Sequence, residues 1–350
     1  MSYQDELLRM DVGEELLAAA RNAAGTCLRV TTDDRVVVVY DGSTRLIAAA
    51  LARVIAEIGA TAHFFDVDDL GTRPMAKFPP EVFRAMSQAT VSATAIASNR
   101  GELSARKDLL SFVTVHSLRH AHMPSITTEV FRDGLSMDYG EVSRFIGHLI
   151  GIIESSSSLT MTSGGGTSLE FTYDNPVPLE KLDGLIESGR WQNLPSGQVL
   201  INPRSAEGVF VVDRSVGDWF GQKYDASRTP VTMEFEGGVV RALHCDDKRF
   251  ERDLLLFVRS SENSGRISEL VIGANLRLTQ DHTGALFDGY RPGASIGVGA
   301  PGASKLGWSS ATFLPLVGKD NSLVVGDREI MRGDRFADDI LAAAGLSPGS

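Results

Sequence analysis

The chain has 350 residues, 43% hydrophobic and 23% charged, a balance typical of a globular protein that can bury a sizeable core. Its formal net charge of -11 opposes binding to phosphate backbones and anionic membranes, so we expect neither nucleic acid nor a membrane as a partner. Two cysteines are too few for a disulfide framework or a cysteine-based zinc site, and we find neither a signal-peptide pattern nor a run of roughly 18 apolar residues. We therefore expect a cytoplasmic protein.

The first half of the chain is predicted to be an α/β domain. A Leu/Ala-rich helix over Gly13–Ala24 precedes the buried-strand pattern Arg35–Tyr40. An apolar helix over Leu46–Ile58 and a strand over Thr61–Val67 follow, and Ala89–Ala97 again resembles a strand. Strand, helix and strand in this order predict a parallel sheet with right-handed crossovers. Because no G-x-G-x-x-G loop is present, we interpret this unit as a scaffold rather than a nucleotide site.

The sequence changes character near residue 155. A predicted helix over Val142–Ile153 is followed by the serine run Ser155–Ser158 and the glycine run Gly164–Gly166. Short strands bounded by Gly, Pro, Asn and Asp then dominate. We predict two domains, an α/β domain over 1–154 and an α+β domain rich in antiparallel strands over 155–350.

Several imidazoles cluster late in the first half. His116 and His120 are four residues apart, a spacing that would share a helix face, and Arg119 and His122 lie beside them. The pattern leaves two interpretations open, a metal-binding group or a solvated group between domains. In the second case His120 is a candidate substrate-binding residue on the wall of a cleft.

Four segments of the second half resemble, in order and spacing, the aminopeptidase T family of metallopeptidases: Gly166–Phe171, Asn193–Val199, Glu234–Val240 and Ser268–Asn275. The resemblance covers roughly residues 155 to 335. The same superfamily includes an iron-dependent ring-cleaving enzyme, 2,5-dihydroxypyridine 5,6-dioxygenase. The resemblance therefore implies a fold that hosts both peptide hydrolysis and ring opening, and it also implies a homodimer.

The metal ligands that this resemblance implies are mostly missing. Glu269 retains the first ligand, and Asp288 stands at the second as another carboxylate. Ser295 stands where the family has a histidine, and Ala311 and Phe313 stand where it has a His-x-Asp pair. We therefore expect the usual metal site to be absent and no cofactor to be needed.

A rearranged metal site is the alternative. Glu269, Asp281, His282 and Asp288 together could hold zinc, manganese or iron if a loop folded inward. The competing interpretation of Asp281–Gly284 is a surface turn, because Asp and Gly favour turns for backbone reasons alone.

Glu269, Asp288 and His282 are the candidate catalytic residues. Glu269 lies between Ile267 and Val271, and burial among apolar neighbours would raise its pKa and suit it to general acid or base catalysis. The alternative is a structural carboxylate that caps a turn or pairs with an arginine.

Candidate substrate-binding residues follow Glu269 along the chain. They are Arg291, Trp308 and Ser309, in addition to His120. Trp308 could stack on a flat substrate or serve in packing. The glycine-rich segment Gly297–Ser304 is interpreted as a flexible hairpin or lid, since it lacks the Gly-Lys-Ser/Thr ending of a phosphate loop.

Three functional hypotheses remain open at this stage. The first is a tailoring or catabolic enzyme that uses carboxylate acid/base chemistry on a heterocycle or amide, by hydrolysis, ring opening, dehydration or cyclisation. The second is a metal-dependent hydrolase or ring-cleaving dioxygenase with relocated ligands. The third is a non-catalytic binding protein. For the two enzyme hypotheses we expect a small-molecule substrate, whereas the non-catalytic protein would bind a ligand or serve a protein complex.

Overall fold

A computed structural model describes residues 3–99, 101–280, 284–300 and 306–347. By their internal contacts the residues fall into two compact units. Unit 1 contains Met1–Gly140 and Gly184–Ser196, and unit 2 contains Glu141–Asp183 and Gly197–Ser350. Among the described residues no helix is both long and apolar enough to cross a membrane.

The described helices are short apart from four of 11 to 15 residues. In chain order they are α1 Tyr3–Leu7, α2 Glu14–Arg21, α3 Arg45–Ile58, α4 Val67–Leu70, α5 Pro80–Met86, α6 Leu103–Val115, α7 Thr128–Gly134, α8 Tyr139–Ile153, α9 Asp218–Gly221, α10 Lys248–Val258, α11 Ala285–Asp288 and α12 Asp338–Ala343. A π-helical turn, Asn22–Cys27, extends α2, and a 3₁₀ turn, Gly42–Thr44, precedes α3.

The strands of the described residues build three sheets. In chain order they are β1 Arg35–Tyr40, β2 Thr61–Asp66, β3 Val91–Ile96, β4 Arg119–Pro124, β5 Ser158–Ser163, β6 Ser168–Thr172, β7 Leu179–Leu182, β8 Trp191–Asn193, β9 Gln198–Ile201, β10 Ser205–Val212, β11 Ser215–Val216, β12 Val231–Glu236, β13 Val239–Cys245, β14 Ile267–Gly273, β15 Gly293–Val298, β16 Leu314–Val317, β17 Asn321–Val325, β18 Arg328–Arg332 and β19 Arg335–Phe336.

Unit 1 is built on a parallel sheet with strand order β2-β1-β3-β4-β8. The unbroken Val36–Val39 run of β1 is buried, as expected for a strand covered on both faces. Helix α3 ends where Gly59 adopts a left-handed conformation with φ of 88°. The predicted α/β class with a parallel sheet is confirmed.

One local prediction in this unit is wrong. His116 and His120 do not share a helix face, because α6 ends at Val115 and Arg119–Pro124 form the strand β4. The strand is favoured because Ala121 and Met123 bury one face of it while the histidines bury the other.

The turn after β1 has a structural role. Asp41 accepts hydrogen bonds from the Ser43 amide at 3.0 Å and the Ala97 amide at 2.6 Å, and it pairs with Arg73 at 2.7 Å. Burial alone would raise the pKa of Asp41, but these hydrogen bonds and the Arg73 charge lower it. Arg73 also pairs with Glu102 at 2.6 Å, so the three side chains hold the ends of β1 and β3 to the start of α6. This agrees with the interpretation of the unit as a scaffold.

Unit 2 contains two antiparallel sheets. One has the order β13-β12-β10-β6-β5-β17-β18-β19, and the other has the order β11-β16-β15-β14-β9-β7. The predicted antiparallel second half is therefore confirmed. The boundary proposed at residue 155 follows the end of α8 at Ile153, and as a domain limit it stays a prediction.

Candidate active site

The six-stranded sheet has one core face and one more open face. On the core face, Leu270 and Ile272 of β14, Ile296 of β15 and Leu316 of β16 are almost completely buried. Because side chains alternate along a strand, Glu269 and Val271 point to the opposite face. Their cross-strand partners on β15 are Gly297 and Ser295 respectively, so Ser295 shares that face with Glu269. We call this surface the Glu269 face.

Gly297 lets two large side chains close over the strand. A Cβ added at Gly297 would lie 2.6 Å from Glu269 Cγ, 2.7 Å from Phe313 Cε2 and 2.9 Å from Glu269 Oε1. Both side chains therefore occupy the space directly above the glycine. Phe313 is 38% exposed, although it is a large apolar side chain. The partly exposed Glu269 carboxyl group therefore lies against the Phe313 ring, and both lie directly over the backbone of Gly297.

The carboxyl group of Glu269 has a raised pKa, about 7. Burial contributes most, because removal of water penalises the charged form. The second contribution is the negative charge of Glu180. A carboxylic acid with a pKa near neutrality is populated in both protonation states at physiological pH and can therefore serve as general acid or general base.

Glu180 is the site residue that sequence reasoning missed. It pairs in register with Leu200 of β9, which pairs in turn with Val271 of β14, so all three lie on the Glu269 face. Two strand spacings put the Glu180 backbone about 10 Å from β14, within reach of a long side chain. In sequence Glu180 and Glu269 are far apart, and the strand register alone brings them together.

Asp288 lies elsewhere on the same sheet. It is buried at the end of α11 and lines a small cavity with Arg214 and Asp334, next to Gly293 and Ala294 at the start of β15. Gly293 is four residues, about 13 Å, from Gly297. The neighbouring charge that raises the pKa of Glu269 is that of Glu180, and the catalytic role of Asp288 stays a prediction.

The predicted substrate-binding residues are spread over both units. The Arg291 backbone crosses Gly273 at the far end of β14 from Glu269, and its guanidinium donates to the Gln280 carbonyl. Trp308 stacks on the Arg266 guanidinium, 4.9 Å from its ring centre. Ser309 is exposed, and its carbonyl accepts from Asn263 at 3.2 Å. Among the described residues, no hydrogen bond or ion pair joins any of these three side chains to Glu269, and their role in substrate binding stays a prediction.

His120, the fourth predicted binding residue, is fully buried in unit 1. Its Nδ1 lies 2.8 Å from Ser92 Oγ and its Nε2 lies 3.3 Å from Thr94 Oγ1. Burial lowers its pKa, and the neighbouring His122 lowers it further. His120 therefore has no exposed surface with which to touch a ligand directly.

Among the described residues, the side chains around Glu269 do not form a set of ligands for a divalent ion. Ser295 is buried on the same face, Ala311 is exposed with its amide on Ser261 Oγ, and the Phe313 ring takes the space beside the carboxylate. Within the described ranges, no group of three or more His, Cys, Asp and Glu side chains is arranged to hold a metal. Asp281 and His282 lie outside the described residues, so the rearranged site and the catalytic role of His282 stay predictions.

Comparisons with known proteins support the fold. No family model matches the sequence, and no curated protein matches it. Among the similar solved structures, two match over nearly their whole length. A 2,5-dihydroxypyridine dioxygenase from Pseudomonas putida KT2440 has a TM-score of 0.68 at 17% identity, covering 93% of this chain and 98% of its own. AmpT from Thermus thermophilus has a TM-score of 0.69 at 15% identity, covering 92% and 99%.

At these identities the likeness establishes the fold and not the chemistry. The predicted resemblance to the aminopeptidase T and dihydroxypyridine dioxygenase fold is confirmed. It extends over nearly the whole chain, well beyond the residues 155 to 335 that carry the sequence motifs.

Proposed function

We propose that the chain is an enzyme in which Glu269 transfers a proton to or from a small amide or heterocyclic substrate. The observation that carries the proposal is the position of its carboxylate, on the open face of the sheet against the Phe313 ring and above the bare backbone of Gly297. The two fold neighbours are named as a dioxygenase and as AmpT, so this architecture occurs in enzymes.

The proposed chemistry follows from the surroundings of Glu269. In its neutral form it donates a proton to a leaving nitrogen or ring heteroatom, and the resulting carboxylate then accepts a proton from the attacking water. The Phe313 ring offers an apolar surface for a flat substrate, and ring faces of this kind favour offset or edge-on aromatic contacts. Glu180 supplies a second carboxylate on the same face. Hydrolysis, ring opening, dehydration and cyclisation all need such proton transfers.

The test is a Glu269→Gln variant. The amide keeps the shape of the side chain and removes its acid/base function, so we expect kcat to fall by about 100-fold or more with little change in KM. The substrates to be screened are aminoacyl anilides, lactams and hydroxypyridines. Glu170→Gln is the matched control, because Glu170 is an exposed glutamate on β6 of the same unit.

The outcomes separate the three functional hypotheses. Turnover that survives a chelator and is lost in Glu269→Gln supports the proposal, whereas full turnover in that variant contradicts it. Turnover that a chelator abolishes, with metal content lost in His282→Ala, would support the metal-dependent alternative. A protein that binds compounds of the panel but converts none would support the non-catalytic alternative. The homodimer, the cytoplasmic location and the tailoring role belong to the proposal as well.

A further inference from the structure

A second polar site lies in unit 1, where strands β3 and β4 end. Ser98 follows β3, Ser125 follows β4, and His122 lies near the end of β4. Arg106 reaches this corner from α6 and donates to Ser98 Oγ at 2.8 Å. The Ser98 amide donates to Ser125 Oγ, also at 2.8 Å. In open parallel sheets, ligands bind outside the carboxyl ends of the strands, and this corner lies at that edge, one strand pair away from the point between β1 and β3 where the strand order reverses.

The histidines in this corner belong to a hydrogen-bonded chain. Ser92 Oγ lies 2.8 Å from His120 Nδ1, and Thr94 Oγ1 lies 3.3 Å from His120 Nε2 and 2.9 Å from His122 Nδ1. Both imidazoles are neutral, since burial lowers the pKa of His120 and, together with the Arg106 charge, lowers that of His122 to about 3. A neutral imidazole has one N–H and one acceptor nitrogen, and the buried Thr94 hydroxyl has to donate its own proton to one of the two imidazoles, so the protons of the chain all point in one direction.

Ser92 sets that direction. It is 1% exposed, and among the described residues its hydroxyl has no hydrogen-bond partner except His120 Nδ1. If Ser92 accepted from His120, its own O–H would be buried without an acceptor, which is unfavourable. Ser92 therefore donates to His120 Nδ1, His120 Nε2–H donates to Thr94, and Thr94 donates to His122 Nδ1. His122 then carries its proton on Nε2, as a donor at the open end of the chain.

Arg106 adds an uncompensated charge at the same place. Its Nε is buried and has no hydrogen-bond partner among the described residues. Among the residues that the structure describes, no carboxylate oxygen lies within 4.0 Å of the Arg106 guanidinium. The Arg106 charge is nevertheless close enough to His122 to affect that imidazole. A half-buried guanidinium and an imidazole N–H thus face one corner, and both are donors.

We propose that Arg106 and the Nε2–H of His122 bind the carboxylate of a small organic acid. One guanidinium and two neutral imidazoles carry a single positive charge, which matches a carboxylate better than the nearly double charge of a phosphate. Trp191, 40% exposed, lies edge-on to His122 with ring centres 6.1 Å apart. The ligand therefore carries its carboxylate on an apolar or aromatic body that contacts Trp191.

Binding of benzoate, measured by calorimetry on the full-length protein, tests the proposal. Benzamide is the neutral isostere and inorganic phosphate the competing anion. We expect benzoate to bind about tenfold or more tightly than either. Arg106→Gln is expected to abolish that preference. Lys107→Gln is the matched control, because it removes the same charge from an exposed position on the same helix.

Each outcome decides the proposal. Equal binding of benzoate and benzamide by the wild type, tighter binding of phosphate, or equal losses in Arg106→Gln and Lys107→Gln would overturn it. The melting temperatures of both variants show whether a loss reflects unfolding. Because the readout is binding alone, it is independent of any turnover at Glu269.

A second measurement tests the proton chain directly. Nitrogen-15 NMR of labelled histidine distinguishes protonated from bare ring nitrogens. We expect His122 to be protonated on Nε2 and bare on Nδ1, and the Nε2 resonance to shift on addition of benzoate but not in Arg106→Gln. A proton on Nδ1 of His122 would overturn the assignment of this residue as a donor to the ligand.

Discussion

At the scale of single residues, the side chain of Glu269 combines partial exposure with desolvation of its carboxyl group. Its side chain lies on the more open face of the sheet, yet the Phe313 ring and the strand backbone remove water from the carboxylate. The charged form is disfavoured for that reason and, to a smaller degree, by the charge of Glu180. Folding therefore stabilises the protonated form, and the stability of the protein depends on the ionisation of this one group.

The first prediction concerns that pH dependence. The pKa of Glu269 is raised from 4.5 to about 7 in the folded state. The stabilising contribution of its proton is fully present below the unfolded pKa and is lost as the pH rises through the folded pKa. The free energy of unfolding of the wild type relative to Glu269→Gln should thus decrease between pH 4.5 and about 7 and level off above. Urea unfolding of both proteins across this range measures it.

Glu180→Gln separates the two causes. Removal of its charge should lower the pKa of Glu269, but burial, the larger cause, should still hold that pKa above 4.5. Carbon-13 NMR of the Glu269 carboxyl group in this variant gives the value. An unchanged pKa would show that the two carboxylates are too far apart to act together.

The sequence predicted the raised pKa of Glu269 but not all of its causes. The apolar neighbours Ile267 and Val271 are visible in sequence, and they suggest burial. Glu180 and Phe313 are separated from Glu269 by dozens of residues, and only strand register and a glycine bring them together. Asp288, which is closer in sequence, lines a small cavity with Arg214 and Asp334 instead.

At the scale of elements, strand β15 determines the shape of the site. Gly297 was predicted to begin a flexible loop, but it lies inside the strand and opposite Glu269. Its backbone is not in the left-handed region, so conformational freedom is not the reason for glycine here. The reason is space, because the two large side chains lie where a Cβ would be.

Gly297→Ala tests this requirement. The added methyl would displace the Glu269 and Phe313 side chains, and we expect a loss of about 1–3 kcal/mol in the free energy of unfolding. Gly297→Ala should cost less stability when it is made in the Phe313→Ala variant than when it is made in the wild type. The reason is that removal of the Phe313 ring vacates the space that the new methyl needs. Denaturant unfolding of the wild type, the two single variants and the double variant measures these differences as a double-mutant cycle.

Gly164→Ala is the control for the glycine substitution. A Cβ at Gly164 would meet no atom within 4 Å, so the change should alter stability by less than about 0.5 kcal/mol. Additive effects of Gly297→Ala and Phe313→Ala would contradict the inferred competition for space.

Element types were predictable where one periodicity dominates. The strand Arg35–Tyr40 was predicted with its observed bounds, and the helix Leu46–Ile58 differs from α3 by one residue. Strand β4 was missed because its histidines replace the apolar residues that normally reveal a buried strand. Ser92 and Thr94 satisfy those imidazoles, and the sequence around β4 does not reveal these partners.

At the scale of the whole molecule, the chain passes between the two units more than once. After α8 and the first strands of unit 2, residues 184–196 return to unit 1 and add β8 beside β4. A strand of three residues carries too little pattern to be recognised in sequence, and its pairing depends on a distant partner. The order of the remaining strands in each sheet likewise could not be predicted from the sequence. The sequence predicted only that the first sheet is parallel and that the strands of the second half are antiparallel.

Because residues 184–196 belong to unit 1, we expect unit 1 to fold on its own only when this segment is included. Gly184 is so close to Tyr139 that an added Cβ would lie 2.3 Å from its ring, so a short Gly/Ser linker can join residue 140 directly to residue 184. The fused fragment should be monodisperse in size-exclusion chromatography and unfold cooperatively. Residues 1–140 alone expose the edge of β4, including the His120 amide and His122 carbonyl that pair with Arg190 and Leu194, and such edges promote aggregation. Equal solubility and cooperativity of the two fragments would show that β8 is dispensable to unit 1.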